Sequence, residues 1–161
     1  MTDVRYLTHP KAAIDPTVPV PNWDLSDIGR ARTRALAQSG RLSGTRFIFC
    51  SDEIKARDTA RILGDSEEIA PQSVPAMAEN DRSATGFLAP DQFETVADAF
   101  FARPDESVLG WERATDAQAC ILGVTSTPKT PPFLCRVRST KGQTNEGTIY
   151  GRTDHSDNQG T

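Results

Sequence analysis

Apolar positions change their spacing from segment to segment over the first three-quarters of the chain, and a different texture follows. "VRYLT" (residues 4–8) is rich in strand formers and runs into a proline-studded loop that lasts to Pro21. "LSDIGRARTRALAQSG" (25–40) carries Ile28, Ala31 and Ala35 at helical spacing, with Ser26 placed to cap its start and Gly40 to end it. "TRFIFCS" (45–51) is a continuous apolar run, the pattern of a strand covered on both faces. "DEIKARDTARILG" (52–64) predicts a second helix, opened by acids and closed by Gly64. Strand, helix, strand, helix in that order predicts parallel strands joined by helical crossovers.

Two more helices follow. "DQFETVADAFFARP" (91–104) places Phe93, Val96, Ala97, Phe100 and Phe101 on one apolar face. "SVLGWERATDAQACIL" (107–122) does the same with Val108, Trp111, Thr115, Ala119 and Leu122. Both stripes read as core. From residue 125 onward Thr, Ser, Pro, Gly, Asn and charged residues dominate, and "PFLCRV" (132–137) is the main apolar cluster, with a weak "TIY" later. Five basic residues against three acidic ones make this segment about +2, so the remainder is about −6 within the net −4. It offers too little apolar surface to offset its ordering entropy and is expected to be mostly disordered. The reading is a three-layer α/β/α sandwich with a mostly parallel sheet over residues 1–124. A polar tail over 125–161 then leaves the C-terminal part of that fold missing or disordered.

Composition narrows the function class. At 161 residues, 37% hydrophobic and 25% charged, the chain suits one domain with a real core. A net charge of −4 argues against nucleic-acid and anionic-membrane partners. No signal peptide is visible, and no run approaches the roughly eighteen apolar residues of a membrane helix. Three cysteines without metal-type spacing suit free thiols in a cytoplasmic protein. Nothing in the sequence offers a metal or cofactor site.

The chemistry centres on "YLTHPK" (6–11), where His9 closes the first strand. Ligands of open α/β sheets bind beyond the carboxyl ends of strands, and residues 51–55 follow the second strand in the same way. An imidazole is largely neutral at pH 7 and can attack a phosphoryl group, given cations around the phosphate and an acid for the leaving oxygen. On the residues alone, a histidine that merely closes a strand is the plainer reading.

The segment "NWDLSDIGRARTRALA", with "FCSDEIKARDTARIL" after it, resembles the histidine phosphatase superfamily, the phosphoglycerate mutase-like proteins. Leu25, Ser26, Gly29 and Arg30 match the family's first helix; Ser51, Ala56, Thr59 and Ala60 match its second. "MAENDRSATGF" resembles the loop that carries the acidic proton donor, and "DESVLGWERATDA" the helix with Glu106, Ser107 and Arg113. The resemblance implies His9 as a nucleophile forming a phosphohistidine, Glu79 as general acid and Lys55 as a phosphate contact. Thr8, Asn22 and Arg82 are further candidates for the phosphate, though a surface arginine is the plainer reading of Arg82. Arg5 shares strand parity with His9 but is expected outside the pocket.

Departures from the family pattern bear on activity. Thr8 stands where the family has arginine, Pro10 replaces a glycine, and Lys55 replaces an arginine, losing the bidentate fork. No apolar strand followed by a second histidine is apparent; His155, in "RTDHSDNQGT", lacks both the strand and the following glycine. The pattern breaks off near residues 119–124, as a frameshift or truncation would make it do; the plainer alternative is a genuine, divergent C-terminal extension. The function implied is a phosphomonoester hydrolase of weak or lost activity, acting on a small phosphorylated molecule or a phosphoprotein. The alternative is an inactive phospho-ligand-binding or interaction protein.

Overall fold

A computed structural model of the chain describes residues 4–125 and the strand residues Leu134–Cys135. In chain order it contains β1 (Tyr6–Leu7), α1 (Asp27–Gln38), β2 (Phe49–Cys50), α2 (Ile54–Glu67), β3 (Gln72–Ser73), α3 (Pro90–Ala102), α4 (Ala114–Thr125) and β4 (Leu134–Cys135). Short 3-10 turns at Val20–Asn22 and Pro75–Met77 begin at prolines, whose fixed φ suits a first helical position. The four strands form one parallel sheet in the order β1-β4-β2-β3.

The continuous apolar run at β2 has the two-sided burial its pattern predicts. Ile48 and Cys50 pack with Leu7, Leu42, Ala56, Ala60 and Leu63 on the face covered by α1 and α2. Phe49, between them, packs with Met77, Tyr6, Val74, Ile121 and Val124 on the opposite face, where α4 lies. That alternation is the period-two consequence of strand geometry, and it makes the three-layer α/β/α sandwich. A satellite core forms beside it from Val96, Phe100, Val108 and Trp111, with Leu88 and Phe93 against them.

The structure departs from the sequence reading at five places. β4 comes from the apolar cluster of the polar segment and lies between β1 and β2, with Leu134 level with Tyr6 and with Phe49. Two paired residues suffice because both neighbouring strands supply main-chain partners. The rest of 126–161, His155 included, lies outside the described residues. On α1, Ile28, Ala31 and Ala35 face outward, with Ile28 54% exposed. The buried positions are Gly29 and Thr33, small enough to bring α1 close to its neighbours. α2 runs past Gly64 to Glu67 and ends on Glu68 in the left-handed conformation. Gly64 is instead a packing position, because a Cβ there would lie 2.3 Å from the Ile69 carbonyl oxygen. Finally, residues 107–113 do not continue a helix. Leu109 and Gly110 adopt positive φ, which turns Val108 and Trp111 into the satellite core, while Ala119 and Leu122 are exposed. On α3, Phe101 is 63% exposed, edge-on to Phe100.

The loop after β1 is fastened to the start of α1. The Lys11 carbonyl accepts from Ser26 N at 3.0 Å and from Ser26 Oγ at 2.9 Å, and Ser26 Oγ caps the helix by accepting from Gly29 N at 3.1 Å. A Cβ on Gly29 would meet that same Lys11 oxygen at 2.3 Å. Gly29→Ala is therefore expected to destabilise by about 1–3 kcal/mol in urea denaturation, as overpacking against backbone does. A chain ending at Val124 lacks β4 and leaves β1 without its described sheet neighbour; its thermal transition is expected well below that of the full chain, or absent. Matching transitions would show that β4 adds nothing.

Candidate active site

Four segments converge beyond the carboxyl ends of β1 and β2: the residues after β1, the turn at Val20–Asn22, the β2–α2 junction and the loop after Met77. His9 stands two residues past Leu7, half-buried. Its Nδ1 lies 2.5 Å from the carbonyl oxygen of Pro10. A carbonyl can only accept, so the ring proton sits on Nδ1 and Nε2 keeps its lone pair. Burial pushes the imidazole below its usual 6.5; the Pro10 carbonyl opposes this, the Lys55 cation reinforces it, and the Glu79 and Glu53 carboxylates again oppose it. The neutral form predominates at pH 7.

Lys55 belongs to the first turn of α2 and is only 2% exposed. Its Nζ is 3.2 Å from Glu53 Oε1 and 3.6 Å from Glu79 Oε2. It also donates to the Val20 carbonyl at 3.4 Å and lies 6.0 Å from the centre of the Trp23 ring. Glu79 is held from its other side by Arg82 Nη2 at 2.8 Å. The Arg82 guanidinium in turn sits over Phe93 and Trp111, at 5.1 Å and 5.6 Å from the ring centres. Charges therefore alternate along Glu53, Lys55, Glu79 and Arg82, two of each sign, beside a neutral imidazole. Asn80, next in the chain, buries an Nδ2 that meets no acceptor among the described residues.

The candidates from the sequence separate into two groups. His9, Lys55, Glu79 and Arg82 come together; Lys55 is not a solvated helix lysine, nor Arg82 a free surface arginine. Thr8 is half-buried beside His9. Asn22 is exposed, and its turn reaches Lys55 through Val20 and Trp23 instead. Arg5 donates to the Arg41 carbonyl, away from this cluster. Glu53 escaped the sequence reading. Two positions before Lys55, it would not face the lysine on a helix. It precedes α2 in extended backbone, however, with φ −63° and ψ 137°, and there the spacing brings the two charges together. An acid beside the lysine that replaces an arginine was the available signal.

Glu79 also lines a cavity of about 460 Å³ with Pro75, Asp81, Trp111 and Glu112. Neither His9 nor Lys55 lines it, so the open space adjoins the ion cluster on the side of the acid.

The family model for the histidine phosphatase superfamily (branch 1) matches residues 17–119, well over half of the 161. The chain belongs to the histidine phosphatase superfamily. The matched span includes Lys55, Glu79 and Arg82 and begins eight residues after His9. Among solved structures, mycobacterial glucosyl-3-phosphoglycerate phosphatase superposes with a TM-score of 0.69 at 19% identity, over 85% of this chain and 74% of that one. A protein named mycobacterial hydrolase 1 gives 0.67 at 20% identity, over 84% and 74%. A Thermus thermophilus protein gives 0.66 at 18%, over 83% and 76%. At these identities the likeness is one of fold. Among curated protein sequences nothing matches. No cluster of metal-binding type occurs among the described residues, and none of the described helices is long and apolar enough to cross a membrane.

His9 yields a pH prediction. Its folded value lies below 6.5, so between the two values the unfolded chain holds more protons at this site. The His9 contribution to stability is then complete above about pH 6.5 and is lost as the pH falls through the folded value. NMR titration of the ring protons is expected to give a midpoint below 6.5; a midpoint above it would contradict the burial argument.

Proposed function

We propose that the chain is a phosphomonoester hydrolase that works slowly through a phosphohistidine at His9. One observation carries the reading: a neutral imidazole with Nδ1 held by the Pro10 carbonyl stands at a strand end beside Lys55 and Glu79. In the first step Nε2 attacks phosphorus, the bond to the ester oxygen breaks, and the Glu79 carboxylate relays to that oxygen the proton that a monoanionic ester brings with it. Water then attacks the phosphohistidine, releasing phosphate and restoring the ring. Lys55 and Arg82 supply positive charge to the phosphoryl oxygens, with Thr8 beside them, and Asn22 stays at the outer edge. The leaving group points into the cavity that Glu79 lines. The phosphatase similar in fold supports the general activity, and its own substrate is not carried over.

A specific observation favours a second reading, a phospho-ligand-binding protein without turnover. Both cations are already engaged by carboxylates, at 3.2 Å and 2.8 Å, so less positive charge is left for the transition state. Release of p-nitrophenol from p-nitrophenyl phosphate separates the readings. Slow release abolished by His9→Ala is expected. Equal release by both proteins would sink the nucleophile, and calorimetric binding of the ester without release would establish the second reading.

A further inference from the structure

Glu53 is a buried carboxylate that the phosphoryl-transfer scheme leaves without a role. It is 5% exposed, with Oε1 3.2 Å from Lys55 Nζ and Oε2 accepting from Ser51 Oγ at 3.0 Å. It occupies the position just before α2, and its side chain makes no cap. The side chain turns instead to Lys55. We propose that Glu53 is a positioning and specificity residue, which holds Lys55 and makes the site select a phosphoryl group entering as a monoanion over one entering as a dianion. The inference rests on the reading that Lys55 meets the phosphoryl oxygens.

Charge at short range sets this preference. Lys55 and Arg82 are balanced by Glu53 and Glu79, and His9 adds no charge in its neutral form. Arg30, on α1, adds no net attraction, because it is engaged by Asp58 at 2.5 Å and faces Asp24 at 3.9 Å. An anion that reaches Lys55 therefore feels Glu53 from nearly the same distance. Each extra negative charge on the ligand gains little from the lysine that the glutamate does not cancel. Desolvating a second charge on the ligand then goes uncompensated.

Sulfate and methanesulfonate test this, since they present similar oxygens with two and one fixed charges near neutral pH. Titrations at low ionic strength would follow the His9 ring signals, assigned among the two histidines of the chain by His9→Ala. The full-length protein is expected to bind methanesulfonate at least as tightly as sulfate. Glu53→Gln is expected to shift the ratio of dissociation constants about tenfold or more toward sulfate. Ser51→Ala, which keeps the carboxylate but removes its anchor, is expected to shift it the same way by less, and is the variant read if Glu53→Gln loses its cooperative thermal transition. Lys55→Arg is expected to change the affinity for both anions. An unchanged ratio in the Glu53 and Ser51 variants, with Lys55→Arg altering both affinities, overturns the role of Glu53 and leaves Lys55 at the phosphate. Affinities untouched by Lys55→Arg overturn the placement of Lys55, and this inference with it.

Discussion

A lysine ammonium taken almost wholly out of water is the constraint on which the site end of this molecule depends. Leaving Lys55 Nζ buried without partners would cost several kcal/mol, more than most single contacts return. Its partners come from separate parts of the chain: Glu53 from the β2–α2 junction, Glu79 from the loop after Met77, and the Val20 carbonyl from the β1–α1 loop. One buried charge thus draws three connections together over the carboxyl end of the sheet. Trp23 reinforces this arrangement, since its ring lies 5.9 Å from that of Phe87 and its Nε1 donates to the carbonyls of Asp15 and Val18. The loops over the site are packed structure, and the geometry around His9 is inherited from that packing.

How much of this was legible in the sequence depends on what each residue has to satisfy. β2 was plain, because a strand buried on both faces has no polar positions to blur it. The start of α1 was plain because Ser26 both caps the helix and reaches back to Lys11. Its buried face was not. Gly29 and Thr33 carry little hydrophobic signal, and their value lies in letting backbones approach closely. Trp111 belonged to the core, but through a turn at positive φ and not through a helical stripe, and periodicity is blind to that difference. β4 was hidden by its surroundings. Two apolar residues in a polar segment look negligible until two strands are available to pair with them.

At the site, residue types were legible and their pairing was not. The order of motifs marked out His9, Lys55 and Glu79, which the fold does bring together. Sequence spacing said nothing of Glu53, because helical rules apply only once the helix has begun, and Glu53 stands just outside α2. Asn22 lies on the exposed side of its turn for a related reason. A turn presents one side to its neighbours, and here the Val20 carbonyl and the Trp23 ring occupy it.

A lysine at position 55, where the family resemblance implies an arginine, therefore has consequences beyond a lost fork. An ammonium is compact and strongly hydrated, so burying it calls for close acceptors on several sides. Glu53 and Glu79 supply them, so the ammonium already has close anionic partners within the protein. The carboxylates also raise the proton affinity of His9, while Lys55 and burial lower it, and the balance leaves a neutral ring. Under the proposed scheme His9 is consequently better prepared than its surroundings: tautomer and charge state are set, while the positive field that phosphoryl transfer would rely on is largely spent within the protein. On the proposed reading, a site built this way would favour capture of a weakly charged phosphoryl group over rapid turnover of a dianion. In that respect Glu53 and Lys55 form one feature, with the acid and the lysine each accounting for the other.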